Sequence, residues 1–86
     1  MKTFSTWVDL QHKDNKRTYR MDRDNELGAW VVMFQDTTNG YQNSETEIMR
    51  FADSNYTGHE EGFEYCLKAL HNFVDGLRLL GWKELN

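Results

Sequence analysis

From Phe63 to Leu80 the apolar residues Phe63, Cys66, Leu67, Leu70, Phe73, Val74, Leu77 and Leu80 recur at spacings of three and four. That period makes one wide apolar stripe along a helix. Glu64, Lys68, Asp75 and Arg78 fall off the stripe, and Glu64 precedes Lys68 in the favourable i, i+4 order. Thr57-Gly58-His59-Glu60 reads as a capping box ahead of it, with Glu60 and Glu61 complementing the positive helix end. Gly81 is placed to cap the other end, with Trp82 folding back on the last turn. Gly62 and Gly76 each cost the helix up to about 1 kcal/mol relative to Ala, which either close approach of a sheet or simple tolerance explains. A helix over about residues 58–80 cannot bury its own stripe, so the rest of this 86-residue chain has to supply a flat apolar surface.

The preceding residues have the period of strands. Phe4, Thr6, Val8 and Leu10 alternate with Ser5, Trp7 and Asp9, which places a strand over about residues 3–11. Lys13-Asp14-Asn15-Lys16 is a turn, after which residues 17–24 set Tyr19, Met21 and Arg23 against Thr18, Arg20 and Asp22. Asp24 to Gly28 form a second turn. Residues 29–36 are apolar on both faces, with Trp30, Val32 and Phe34 on one and Ala29, Val31 and Met33 on the other, the pattern of a central strand. Residues 46–52 read either as a fourth strand with Ile48 inward or as a short helix opened by Ser44-Glu45-Thr46-Glu47; the Asn39-Gly40 turn asks for an antiparallel return and favours the strand. The expected fold is therefore α+β, a single domain over residues 1–86. An antiparallel meander of three or four strands is followed by one long C-terminal helix packed on one sheet face.

One helix covers one face. With the central strand apolar on both, the face of Trp30, Val32 and Phe34 is expected to lie open, joined by Trp7, Tyr19 and Met21, and to serve as a homodimer or protein-partner interface. The aromatic content supports this expectation, since 14% of the chain is Phe, Trp or Tyr, more than one sheet–helix core uses. The alternative is that the loop from Gly40 to Thr57, or the Trp82 segment, folds over that face.

Several chemistries are unsupported. Cys66, His12, His59 and His71 show no metal-ligand spacing, and the calcium-loop beginning at Asp22 has Leu27 where glycine is required and Met33 where glutamate is required. Neither a metal nor a cofactor is expected. Cys66 falls on the apolar stripe and reads as a core residue rather than a nucleophile. There is no glycine-rich phosphate loop, so no catalytic residue is assigned and an enzyme is not expected. A single cysteine, the lack of a signal-peptide pattern and the lack of a long apolar run point to a cytoplasmic chain that does not enter a membrane.

Charge gives two binding leads. The net charge of -4 arises entirely in residues 44–86, where eight acids face four basic residues. Glu45, Glu47, Asp53, Glu60, Glu61 and Glu64 form an acidic surface suited to a basic partner. The first hairpin instead gathers Lys16, Arg17, Arg20 and Arg23 around Tyr19 and Trp30, the ingredients of single-stranded nucleic-acid binding, although Asp9, Asp14, Asp22, Asp24 and Glu26 dilute the field.

Asn15-Lys16-Arg17-Thr18-Tyr19, followed by Asn25, Gly28 and an apolar strand, resembles the start of a PUR repeat. That resemblance implies four strands followed by a helix and, through Lys16, Arg17, Tyr19, Asn25 and Gly28, single-stranded nucleic-acid binding by a homodimer. The residues themselves favour a different reading, a small non-enzymatic regulator or inhibitor of the kind carried by mobile genetic elements. It would bind a protein partner through its sheet face or acidic surface.

Overall fold

The structure, a computed structural model, describes residues 5–85. Phe4 and the start of the expected first strand lie outside the described residues. Five strands and one long helix follow in the order β1 (Trp7–His12), β2 (Asn15–Asp24), β3 (Ala29–Asp36), β4 (Thr46–Ala52), a 3-10 turn at Asp53–Asn55, α1 (His59–Leu79) and β5 (Lys83–Glu84). The sheet is antiparallel throughout, ordered β4-β3-β2-β1-β5. The α+β meander with a C-terminal helix on one face is thus the observed architecture, and residues 46–52 are a strand.

The turns follow from local chemistry. Lys13 takes a positive φ of 56° between His12 and Asn15, so β2 starts two residues earlier than the alternation alone suggests. Between β2 and β3 the Asp24 carboxylate accepts from the Glu26 and Leu27 amides, and Gly28 supplies the left-handed residue that closes the turn. At the helix C-terminus Gly81 has φ 102°, its N–H donating to the Arg78 carbonyl while the Trp82 N–H reaches the Leu77 carbonyl. Those two bonds are the Schellman pattern expected of a C-terminal glycine. The N-terminus differs from expectation: the cap residue is Gly58, which has no side chain to accept from the first turn, and the Thr57 hydroxyl donates to Glu61.

Helix α1 packs on the face of Trp30, Val32 and Phe34, which corrects the expectation that this face stands open. The register explains the choice. Tyr19 lies opposite Phe34 and Val8, Met21 opposite Val32, and Trp30 opposite Phe51. The large side chains of four strands therefore share one face. Val8, Leu10, Tyr19, Met21 and Val32 meet Cys66, Leu70, Val74 and Leu77 there, and Trp82 closes the end of the core. On the helix, Phe73 and Leu80 are exposed rather than interior, although the Phe73 ring still meets the Tyr19 ring edge-on.

The opposite face is polar and largely self-covered. A register shift between Val32 and Met33 makes Ile48 an extra residue on β4, so Met49 turns inward and Ile48 outward, the reverse of the expected orientation. The same bulge brings Glu47 and Arg50, three residues apart, to one face, where they form a two-point ion pair. Glu45 reaches Arg20 by two bonds, of 2.5 and 2.7 Å, and Arg20 also holds Asp22. The Arg50 guanidinium also holds Asp24. Together with the loop at residues 37–45, pinned by Gln35 and Asn43, this network leaves Val31 and Gln35 buried although no helix lies over them.

Candidate functional site

Few of the interface residues inferred from sequence lie together on an open surface. Tyr19 is 2% exposed and Val32 is fully buried, so both are core residues under the helix. Phe34 and Trp30 are half-buried on that same face, and Trp7 alone stands on the opposite face, 42% exposed with its ring 6.5 Å from that of Tyr41.

The basic residues are equally divided. Arg20 and Lys16 belong to the outer face and Arg17 and Arg23 to the helix side. Arg23 makes a two-point ion pair with Asp53 at 2.5 and 2.8 Å and lies over the Trp30 ring. Burial pushes the Tyr19 phenol above its ordinary pKa, and its ring is closed off by Phe34 and Phe73. No base can stack on Tyr19 without displacing the helix.

The acidic surface divides into two halves. Glu45, Glu47 and Asp53 are engaged by Arg20, Arg50 and Arg23, whose hydrogen bonds hold all three carboxyls below the usual range. Glu60, Glu61 and Glu64 occupy the first turns of α1. Glu61 accepts from Thr57, whereas Glu60 and Glu64 have no ion pair among the described residues. Lys68, expected to pair with Glu64, instead lies 5.9 Å over the Tyr65 ring.

These two carboxylates border a groove of about 460 Å³, lined by Trp30, His59, Glu60, Phe63, Glu64 and Leu67. The Trp30 and Phe63 rings form its wall in edge-to-face contact, with centroids 5.1 Å apart. The Trp30 indole N–H donates to the His59 carbonyl at 2.7 Å, which fixes the ring against the helix. Residues 60 and 64 are one turn apart, as are 63 and 67, so a row of carboxylates runs beside a row of apolar side chains. One member of the expected apolar interface and two of the expected acidic surface therefore meet in a single depression. Their convergence depends on tertiary packing, since Trp30 lies on β3 and the others on α1.

Cys66 is fully buried and burial alone pushes its thiol up to about 11, which fits a packing role. Among the described residues no group of three or more His, Cys, Asp or Glu is placed to hold a metal ion, and no helix is long and apolar enough to cross a membrane. Comparison with protein-family models, with curated proteins and with solved structures finds no match.

Proposed function

We propose that this chain is a non-enzymatic interaction protein that docks a cationic, apolar segment of a protein partner in the groove between Trp30 and the first turns of α1. The observation that carries this reading is the pair Glu60 and Glu64, which have no ion pair among the described residues and stand one helical turn apart beside the apolar wall of Trp30, Phe63 and Leu67. Like charges at i, i+4 destabilise a helix by about 0.2–0.5 kcal/mol, a cost that a bound Lys or Arg would reverse. Chains such as this act as regulators or inhibitors when they occupy a basic surface that the partner uses for something else, and charge complementarity hastens the encounter.

Fluorescence anisotropy with a labelled peptide of alternating Lys and Leu tests the reading, with an alternating Glu and Leu peptide as its counterpart. The basic peptide is expected to bind, to weaken as salt rises, and to weaken several-fold in the Glu60→Gln/Glu64→Gln variant, since each exposed pair contributes about 0.2–1 kcal/mol. Equal binding of the acidic peptide, or no response to the double substitution, would overturn it. A labelled single-stranded oligonucleotide in the same titration addresses the nucleic-acid alternative, whose Arg20 and Arg23 are here engaged by carboxylates.

A further inference from the structure

The chain has five arginines, and four of them are held by carboxylates: Arg20 by Glu45 and Asp22, Arg23 by Asp53, Arg50 by Glu47 and Asp24, and Arg78 by Asp75 and Glu84. Arg17 differs. Among the described residues it has no ion pair, and its one hydrogen bond is a long one, 3.4 Å, to the Tyr19 hydroxyl. It is nevertheless positioned: the guanidinium lies 4.3 Å over the Trp82 ring and 5.8 Å from the Phe34 ring. A guanidinium held over rings in this way keeps N–H groups for a further partner, since the ring faces accept none of its conventional hydrogen bonds and Tyr19 engages only Nη1.

Arg17 borders a cleft of about 200 Å³ that is also lined by Asn15, Lys16, Asp36, Thr38 and Trp82. Its lining carries two cations against one carboxylate. That carboxylate, Asp36, lies opposite Arg17 in the strand register and accepts from the Thr38 amide at 3.0 Å; Thr38 is the main cause of its lowered pKa and the charge of Arg17 a lesser one, without an ion pair between the two. A guanidinium already fixed by an aromatic shelf loses little side-chain freedom on binding, and its fork matches two carboxylate oxygens.

We propose that the Arg17–Trp82 shelf is an anion site that receives an Asp or Glu carboxylate of a protein partner. It extends the protein-binding reading without requiring the groove to be occupied. Arg17 and Arg23 are six residues apart on β2, or about 20 Å at the usual strand rise. The carboxylate site and the Trp30 groove beside Arg23 thus lie toward opposite ends of the helix-covered face.

The test follows the NMR signals of the arginine Nε–H groups while sodium acetate, or separately inorganic phosphate, replaces chloride at constant ionic strength. A saturable shift confined to Arg17 with acetate is the expected result. In Arg17→Lys, which keeps the charge but loses the fork, the backbone amides of Asn15 and Thr38 are expected to respond about tenfold more weakly. Saturation by phosphate with none by acetate would overturn the carboxylate assignment. Equal, non-saturating shifts at all five arginines would overturn the site altogether. Glu60→Gln/Glu64→Gln is expected to leave the Arg17 response unchanged, so failure here is distinguishable from failure of the groove reading.

Discussion

Trp30 and Gly62 are in contact because residue 62 has no side chain: a Cβ there would stand 3.3 Å from the indole Cδ1. The same indole is tied through its N–H to the His59 carbonyl, one turn earlier on the helix. Helix and sheet thus approach closely at Trp30, a residue that lines the groove. Gly76, the other glycine within α1, has nothing within 4 Å of the corresponding position.

The two glycines should therefore respond differently to the same substitution. Gly76→Ala is expected to raise stability by up to about 1 kcal/mol, the difference in helix propensity. In Gly62→Ala that gain is offset, because Trp30 is held by the His59 carbonyl, Phe63 and Arg23 and has to shift. Urea denaturation of both variants checks this, and equal stabilisation would show that the Trp30 contact is loose.

Gly81→Ala is expected to destabilise by about 1–3 kcal/mol, since its φ of 102° is one that side-chain-bearing residues rarely adopt. A Cβ would also stand 3.1 Å from the His12 ring. Loss of Trp82 protection, read by tryptophan emission or iodide quenching, should accompany the loss of stability.

Acid should destabilise the fold through Glu45, Glu47, Asp53 and Asp24. Arginine hydrogen bonds hold the first three below the usual carboxylate range, and for Asp24 the Leu27 amide is the main cause, followed by Arg50. Their folded pKa values are lower than their unfolded ones, so the unfolded chain binds more protons at intermediate acidity. The stabilisation is present above the unfolded values of about 4 and is lost as pH falls through the folded ones. Urea midpoints should be nearly flat above about pH 5 and fall below about pH 4, with a shallower fall in Glu45→Gln.

Glu64→Gln is expected to change stability by no more than about 0.5 kcal/mol, because its carboxylate makes no ion pair among the described residues. Arg23→Ala, by contrast, removes a two-point bond to Asp53 and a cation over Trp30. Thermal denaturation of the two variants side by side should show the Arg23 change as the more damaging by several degrees.

Burial makes Cys66 a reporter of opening. With the thiol fully enclosed and its pKa pushed up to about 11, iodoacetamide at neutral pH should modify it only as fast as the helix lifts from the sheet. Rapid labelling of the folded protein would contradict the packing described.

Strand alternation, the helix stripe, the Gly81 cap and the interior position of Cys66 are all legible in the sequence, because each depends on neighbours within a turn or two. The choice of sheet face was harder. β3 is apolar on both sides, so it has no preference of its own; β2 decides, since Tyr19 and Met21 fall beside Phe34 and Val32 while Arg20 and Asp22 fall beside Met33 and Val31. That signal becomes visible only after pairing the two strands across the Asp24–Gly28 turn. Neither the bulge at Ile48 nor the two-residue strand β5 has a sequence period, and the Arg17 shelf joins residues 65 positions apart. The groove was half legible: its carboxylates were evident, but nothing local says that Trp30 lies beside them.

Strand β4 has a partner on one side only, and such a margin invites a second chain to continue the hydrogen-bond ladder. Proline is a common device for removing a donor from that margin, and this chain has none. The displaced Ile48 and the clasped charges of Glu47 and Arg50 do the same work by other means, interrupting the ladder at its midpoint and placing fixed ions beside it. Deleting Ile48 would leave Glu47 opposite Met33 on the outer face and Met49 inward, so the ladder would run without a break, and a blunted margin would become one open to edge-to-edge association.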